Sequence, residues 1–157
     1  MHGSTENTLD KADLRRRMAA AFGELTMLAM RDPRYRNYTI DDLRWIVEPA
    51  VLTGNFMIAS GRKKGGGIPV PIGAVIWARV SELVDARLEE QKGRHPLRLS
   101  PEEMVGGDIC WIVHAFGPPP VVESIIDMLT REGGVDESGS EIVPGPLCGM
   151  ALKQGVL

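Results

Sequence analysis

A chain of 157 residues with 43% hydrophobic content has the length of one domain, since a chain near ~150 residues buries about two thirds of its unfolded surface around one core. Its formal net charge is −3, with 18 basic and 21 acidic residues interspersed, which argues against a nucleic-acid partner because no cationic face stands out to neutralise phosphates. The polar start, Met1 to Asp13, lacks the charged region, apolar run and cleavage site of a signal peptide, and no later stretch reaches the ~18 apolar residues of a membrane span; the cytoplasm is the expected compartment.

Residues 10–31 place Leu14, Met18, Ala21, Phe22, Leu25, Leu28 and Ala29 on one stripe at helical spacing, which predicts an amphipathic helix that stops at Pro33. A second helix is predicted from about residue 40 to Gly54, with Asp41 and Asp42 at its positive end and a kink near Pro49. Phe56–Ala59 and Ile72–Ala78 read as an antiparallel strand pair. The loop between them, Arg62 to Gly67, reads as a flexible hairpin turn or a backbone cradle for the phosphate of a carrier prosthetic group. Ser81 opens a third helix with Leu83, Val84 and Leu88 facing inward, and Arg94 to Pro101 is a linker.

Ser100-Pro101-Glu102-Glu103 carries the cap, first-turn proline and early acids of a short helix. Ile109–Val113 is an apolar run suited to a buried strand, stopped by Pro118–Pro120. Val121, Val122, Ile125, Ile126 and Leu129 sketch a last helix ending at Gly133-Gly134. Trp45, Trp77 and Trp111 lie in apolar runs and read as core. The expected organisation is a disordered segment 1–9, an α+β domain over 10–134 and a weakly structured tail over 135–157. Cys110 and Cys148 have no partner spacing, so neither a disulfide nor a metal site is predicted, and His2 and His95 receive no role.

Four blocks, in order, resemble the RTX toxin-activating lysine acyltransferase family over about residues 22–132. They are Phe22-Gly23-Glu24-Leu25-Thr26 leading to Asp32-Pro33-Arg34-Tyr35-Arg36-Asn37; Asp42-Leu43-x-Trp45-Ile46-Val47-x-Pro49-Ala50-Val51-Leu52-x-Gly54-x-Phe56; Ile72-Gly73 through Trp77 to Leu88; and Arg98 to Glu103 with Gly107-Asp108-x-x-Trp111-Ile112-Val113-His114. The resemblance implies a fold like the GNAT acetyltransferases, a twisted mixed sheet flanked by helices. It implies acyl carrier protein as donor partner, an internal lysine of a protein such as an RTX toxin as acceptor, and no bound cofactor. In this chain Tyr35 stands where the family has its catalytic His, and His114 where it has its catalytic Asp. The family's Ala-Pro-Phe continuation becomes Gly117-Pro118-Pro119.

Acyl transfer from a thioester to lysine requires a neutral amine, yet a free lysine has a pKa of ~10.4, so a base near neutrality is needed, together with stabilisation of the oxyanion. His114, at an unperturbed ~6.5, has the pKa to accept the ammonium proton, and Tyr35, at ~10, to donate to the oxyanion or thiolate. Taken singly, Tyr35 also reads as a loop aromatic and His114 as a hydrogen-bonded histidine at a strand end. Three readings follow: a carrier-dependent protein lysine acyltransferase, an inactive relative retained as a binding module for a carrier or polypeptide, and an acyltransferase for a small amine. Arg15–Arg17, Arg31, Arg34 and Arg36 offer complementary charge to an acidic carrier, although solvated faces place such residues as readily. A homodimer is left open.

Overall fold

The structure, a computed structural model, describes residues 3–94 and 97–155; Met1, His2 and His95 lie outside them. The first helix, α1 (Gly3–Arg31), ends just before Pro33 and starts earlier than the apolar stripe suggested. Residues 3–9 were expected to be disordered and are helical instead, because no breaker separates them from the stripe and a helix propagates more easily than it nucleates. Only the later half of the stripe is buried. Leu25, Leu28 and Ala29 enter the core and Phe22 packs partly against it, while Leu14 remains 56% exposed.

The single helix expected near 40–54 is two: α2 (Leu43–Ile46) and α3 (Glu48–Thr53). Pro49 accounts for the break, since it has no N–H to give to the Trp45 carbonyl and its ring would crowd that oxygen. Trp45, expected in the core, is left 36% exposed at the break. Strands β1 (Phe56–Gly61) and β2 (Val70–Val80) pair antiparallel, joined by the Gly-rich hairpin.

Ser81 caps α4 (Glu82–Gln91) by accepting from the Val84 amide. Leu88 is buried and Val84 half-buried, but Leu83, expected inward, points to solvent: it lies one step round the helix from the Val84–Leu88 line, and only that line meets the sheet. Helix α5 (Pro101–Met104) carries a complete capping box between Ser100 and Glu103.

Strand β3 (Ile109–Phe116) pairs antiparallel with β2 and continues three residues past the apolar run that announced it. Helix α6 (Pro119–Thr130) follows, with prolines in its first turn where a missing donor costs nothing. The remaining chain was expected to be weakly structured, and it is not. After the small pair β4 (Gly134–Val135) and β5 (Glu141–Ile142), Leu147 is buried and β6 (Leu152–Gln154) adds to the sheet parallel to β3. The unpaired edge of β3 needs donors and acceptors, and three residues with the Gly155 amide on the Ile112 carbonyl supply them.

The sheet order is thus β1-β2-β3-β6, mixed in direction and covered on both faces. Ala74, Ile76, Ala78 and Val80 of β2 join the cluster under α1, whereas Val75 and Trp77 join the one under α6. Trp111 is fully buried in the first cluster, a burial worth roughly 4–6 kcal/mol in transfer terms, and its Nε1–H donates to Asp85 of α4 at 2.8 Å. Lys153 of β6 reaches the same carboxylate at 2.8 Å and Glu89 at 3.0 Å, so the last strand is tied to α4 as well as to β3. No helix among the described residues is long and apolar enough to cross a membrane.

Candidate functional site

Tyr35 sits on the turn that Pro33 forces after α1, and His114 sits within β3 rather than at its end. Their side chains meet: Tyr35 Oη lies 3.1 Å from His114 Nδ1. The local reason is a bulge in β3. Ile76 pairs with His114 and Trp77 with Ile112, leaving Val113 without a partner across the strand. Strict alternation from Trp111 and Val113 would send residue 114 toward α6. The extra residue resets the phase, so His114 follows Val113 onto the α1 face and meets Tyr35, while Ala115 takes the α6 face.

Both side chains are buried, Tyr35 at 3% exposure and His114 at 1%. Phe116 closes the pair on one side, edge-on to Tyr35 at 4.7 Å and parallel to the imidazole at 6.5 Å. Burial pushes the phenol well above its usual range; the Arg34 charge and the Ala115 backbone amide pull the other way without cancelling it. Tyr35 therefore remains a neutral phenol at any ordinary pH. With an amide directed at its oxygen, the hydroxyl proton is available for Nδ1, which leaves the imidazole hydrogen on Nε2.

The turn is clamped to the strand by residues that sequence reasoning had read only as a helix stop. Asp32, 7% exposed, accepts from Arg34 Nε at 3.1 Å and Nη2 at 2.9 Å, and Arg34 Nη2 also donates to the Ala115 carbonyl at 2.8 Å, beside His114. Burial raises the Asp32 pKa, but the Arg34 hydrogen bonds and charge, helped by the Gly117 amide, outweigh it and hold the carboxyl below its usual range. An Asp and an Arg two residues apart are too common for the spacing alone to signal such a clamp.

Because the folded-state pKa of Asp32 is depressed, its contribution to stability is present above the unfolded value of ~3.9 and lost as pH falls through the folded one. Asp32→Ala is expected to destabilise the protein by about 2–3 kcal/mol at pH 7, less than for a fully buried pair since Arg34 is 36% exposed. Urea unfolding of both proteins at pH 7 and pH 3 checks this. The difference should shrink at the lower pH, and a pH-independent difference would remove the charge from the explanation.

Two cavities flank the turn. One, of about 670 Å³, is walled by Leu28, Ile72, Pro118 and Val122, with Arg31 and Arg34 also lining it. The other, of about 340 Å³, lies on the far side of the turn and includes Tyr35 and Tyr38. Neither was visible in the sequence, because their walls come from α1, β2 and the start of α6, or from α1 and the α1–α2 segment. None of the three tryptophans lines either one.

A mixed four-stranded sheet flanked by helices, bulged in β3 where a side chain must be re-aimed toward a clamped turn, defines a GNAT-like acyltransferase fold. The chain matches the RTX toxin acyltransferase family over residues 15–137, most of its length, and belongs to that family. No curated protein matches it.

Proposed function

We propose that the protein is a lysine N-acyltransferase that moves a fatty acyl group from acyl carrier protein to an internal lysine of a protein substrate, with Tyr35 and His114 as the reacting pair. The observation that carries this reading is the 3.1 Å contact between the two side chains at the positions that the family resemblance makes catalytic. The acyl chain lies in the cavity of about 670 Å³, a volume within the ~300–1,000 Å³ of ordinary ligand sites, with apolar walls that leave the chain no polar competitor.

In this scheme the acceptor ammonium gives a proton to Tyr35 Oη while the phenol passes its own to His114 Nδ1, so no free phenolate forms, in keeping with the raised phenol pKa. The neutral amine attacks the thioester carbonyl, the C–N bond forms and the C–S bond breaks. The second proton, lost by the attacking nitrogen, goes to the departing thiolate, and the first stays on the imidazolium until products leave. Bases of this kind contribute about 10²–10⁴-fold in rate.

The burial of both groups favours a second reading, in which the pair is a structural hydrogen bond and the fold serves as a binding module. Incubation with acyl-loaded carrier protein and an RTX toxin, followed by intact mass spectrometry and peptide mapping, separates the two. The proposal expects a fatty-acyl mass increment on a toxin lysine. Carrier or toxin binding without any increment would establish the module instead.

A further inference from the structure

Consecutive residues of the α1–α2 segment face different cavities. Asp32, Pro33 and Arg34 line the larger one, whereas Tyr35, Tyr38 and Ile40 line the smaller, about 340 Å³, against Met30 of α1 and Leu43 of α2. Among these two cavities, only the smaller reaches the phenol. At its mouth Ile40 is 88% exposed and Met30 67%, an apolar pair that covers nothing in the described chain.

We propose that this slot is the acceptor site, taking a lysine side chain with its methylene stem against Met30, Ile40 and Leu43 and its nitrogen at the Tyr35 hydroxyl, while the acyl donor approaches from the opposite side of the turn. The inference rests on the acyl-transfer reading above and assigns its second substrate a place. The shape suits the occupant, since a four-methylene stem ending in one nitrogen needs a narrow apolar slot that stops at a polar group. The electrostatics suit it too. Tyr35 and Tyr38 meet edge to face at 5.8 Å and 82°, an aromatic corner that attracts an alkylammonium through its ring faces. Arg36, on the same wall, opposes the positive charge, which keeps the site weak for an ammonium and favours the neutral amine that attack requires. From there the Tyr35–His114 hydrogen bond leads the proton away from the slot.

The arrangement also separates the substrates physically. A thioester reaching the turn from the larger cavity and an amine reaching it from the smaller one meet at the clamped residues 32–35, and neither blocks the other's path.

Methyl-resolved NMR of the full chain, labelled at Ile, Met and Val, tests the assignment by titration with Nα-acetyl-lysine amide and, separately, with decanoate. The lysine amide should shift the Met30 and Ile40 methyls and leave those of Ile72 and Val122 in place, with decanoate doing the reverse. Ile40→Arg, at an exposed position, should weaken the lysine amide at least tenfold and leave the decanoate titration unchanged. Lysine amide shifting Ile72 and Val122, or shifting neither set, would overturn the proposal, as would decanoate at Met30. The readout is binding, so a protein that binds the lysine amide in the slot yet transfers no acyl group would refute the reaction and not the site.

Discussion

Tyr35→Phe is expected to slow acyl transfer to a toxin lysine by about 10²–10³-fold, within the range that a positioned acid–base group supplies. The substitution removes only the oxygen that lies 3.1 Å from His114 Nδ1. The ring keeps its edge-on contact with Phe116 at 4.7 Å, so the fold should survive. The structural cost is the unsatisfied Nδ1 left behind, about 1–2 kcal/mol, well below what would unfold a domain of ordinary stability. His114→Ala should lose a similar factor in rate. It removes more volume from a site 1% exposed, so its thermal midpoint should fall further than that of Tyr35→Phe. Single-turnover rates from intact mass, read beside circular dichroism, separate the chemistry from the fold. A Tyr35→Phe enzyme as fast as the parent would leave the phenol a purely structural role.

Gly117→Val is expected to cost about 3–5 kcal/mol, the largest stability effect of any single change proposed. Gly117 follows β3 at φ +106°, a conformation that side-chain-bearing residues rarely adopt and that a β-branched residue resists most. A Cβ there would stand 2.6 Å from the Ile72 carbonyl oxygen and 2.9 Å from Gly73 Cα, so backbone would have to move. Gly73 cannot yield easily, because its own position already brings β2 against Val121 of α6. The same displacement would distort a wall of the larger cavity and pull the Gly117 amide from Asp32, loosening the turn that holds Tyr35. Gly134→Val, with nothing within 4 Å of its Cβ, serves as the control and should stay within about 0.5 kcal/mol. Urea midpoints of the two variants compare them directly, and equal stabilities would contradict the strain argument.

Those two sites illustrate what was legible before the structure. Local chemistry read correctly: the Ser100–Glu103 box, the proline-led start of α6 and the antiparallel β1–β2 pair all depend on a few neighbouring residues. The family blocks carried the pairing of Tyr35 with His114 across 79 positions of sequence, which no periodicity could have supplied. What failed was whatever depends on which surface a distant element covers. Leu83 and Trp45 are as apolar as their buried neighbours, but nothing packs on them. The bulge at Val113 was hidden because one extra residue in an all-apolar strand leaves the hydrophobic pattern intact while reversing the direction of the next side chain. The tail was judged by its own weak apolar content, whereas β6 forms because β3 has an open edge and Lys153 finds Asp85 and Glu89.

The family assignment and the chemistry stand on different footing. Membership follows from the match over residues 15–137 and from the sheet, and it would hold for an inactive descendant. Activity turns on whether the Tyr35–His114 hydrogen bond works as one proton-transfer unit. A double-mutant cycle asks this most directly: single-turnover acyl transfer by the parent, Tyr35→Phe, His114→Ala and the double variant. If the two groups pass one proton, the double variant should be no slower than the worse single. Losses that multiply, or no loss in any variant, would contradict the unit.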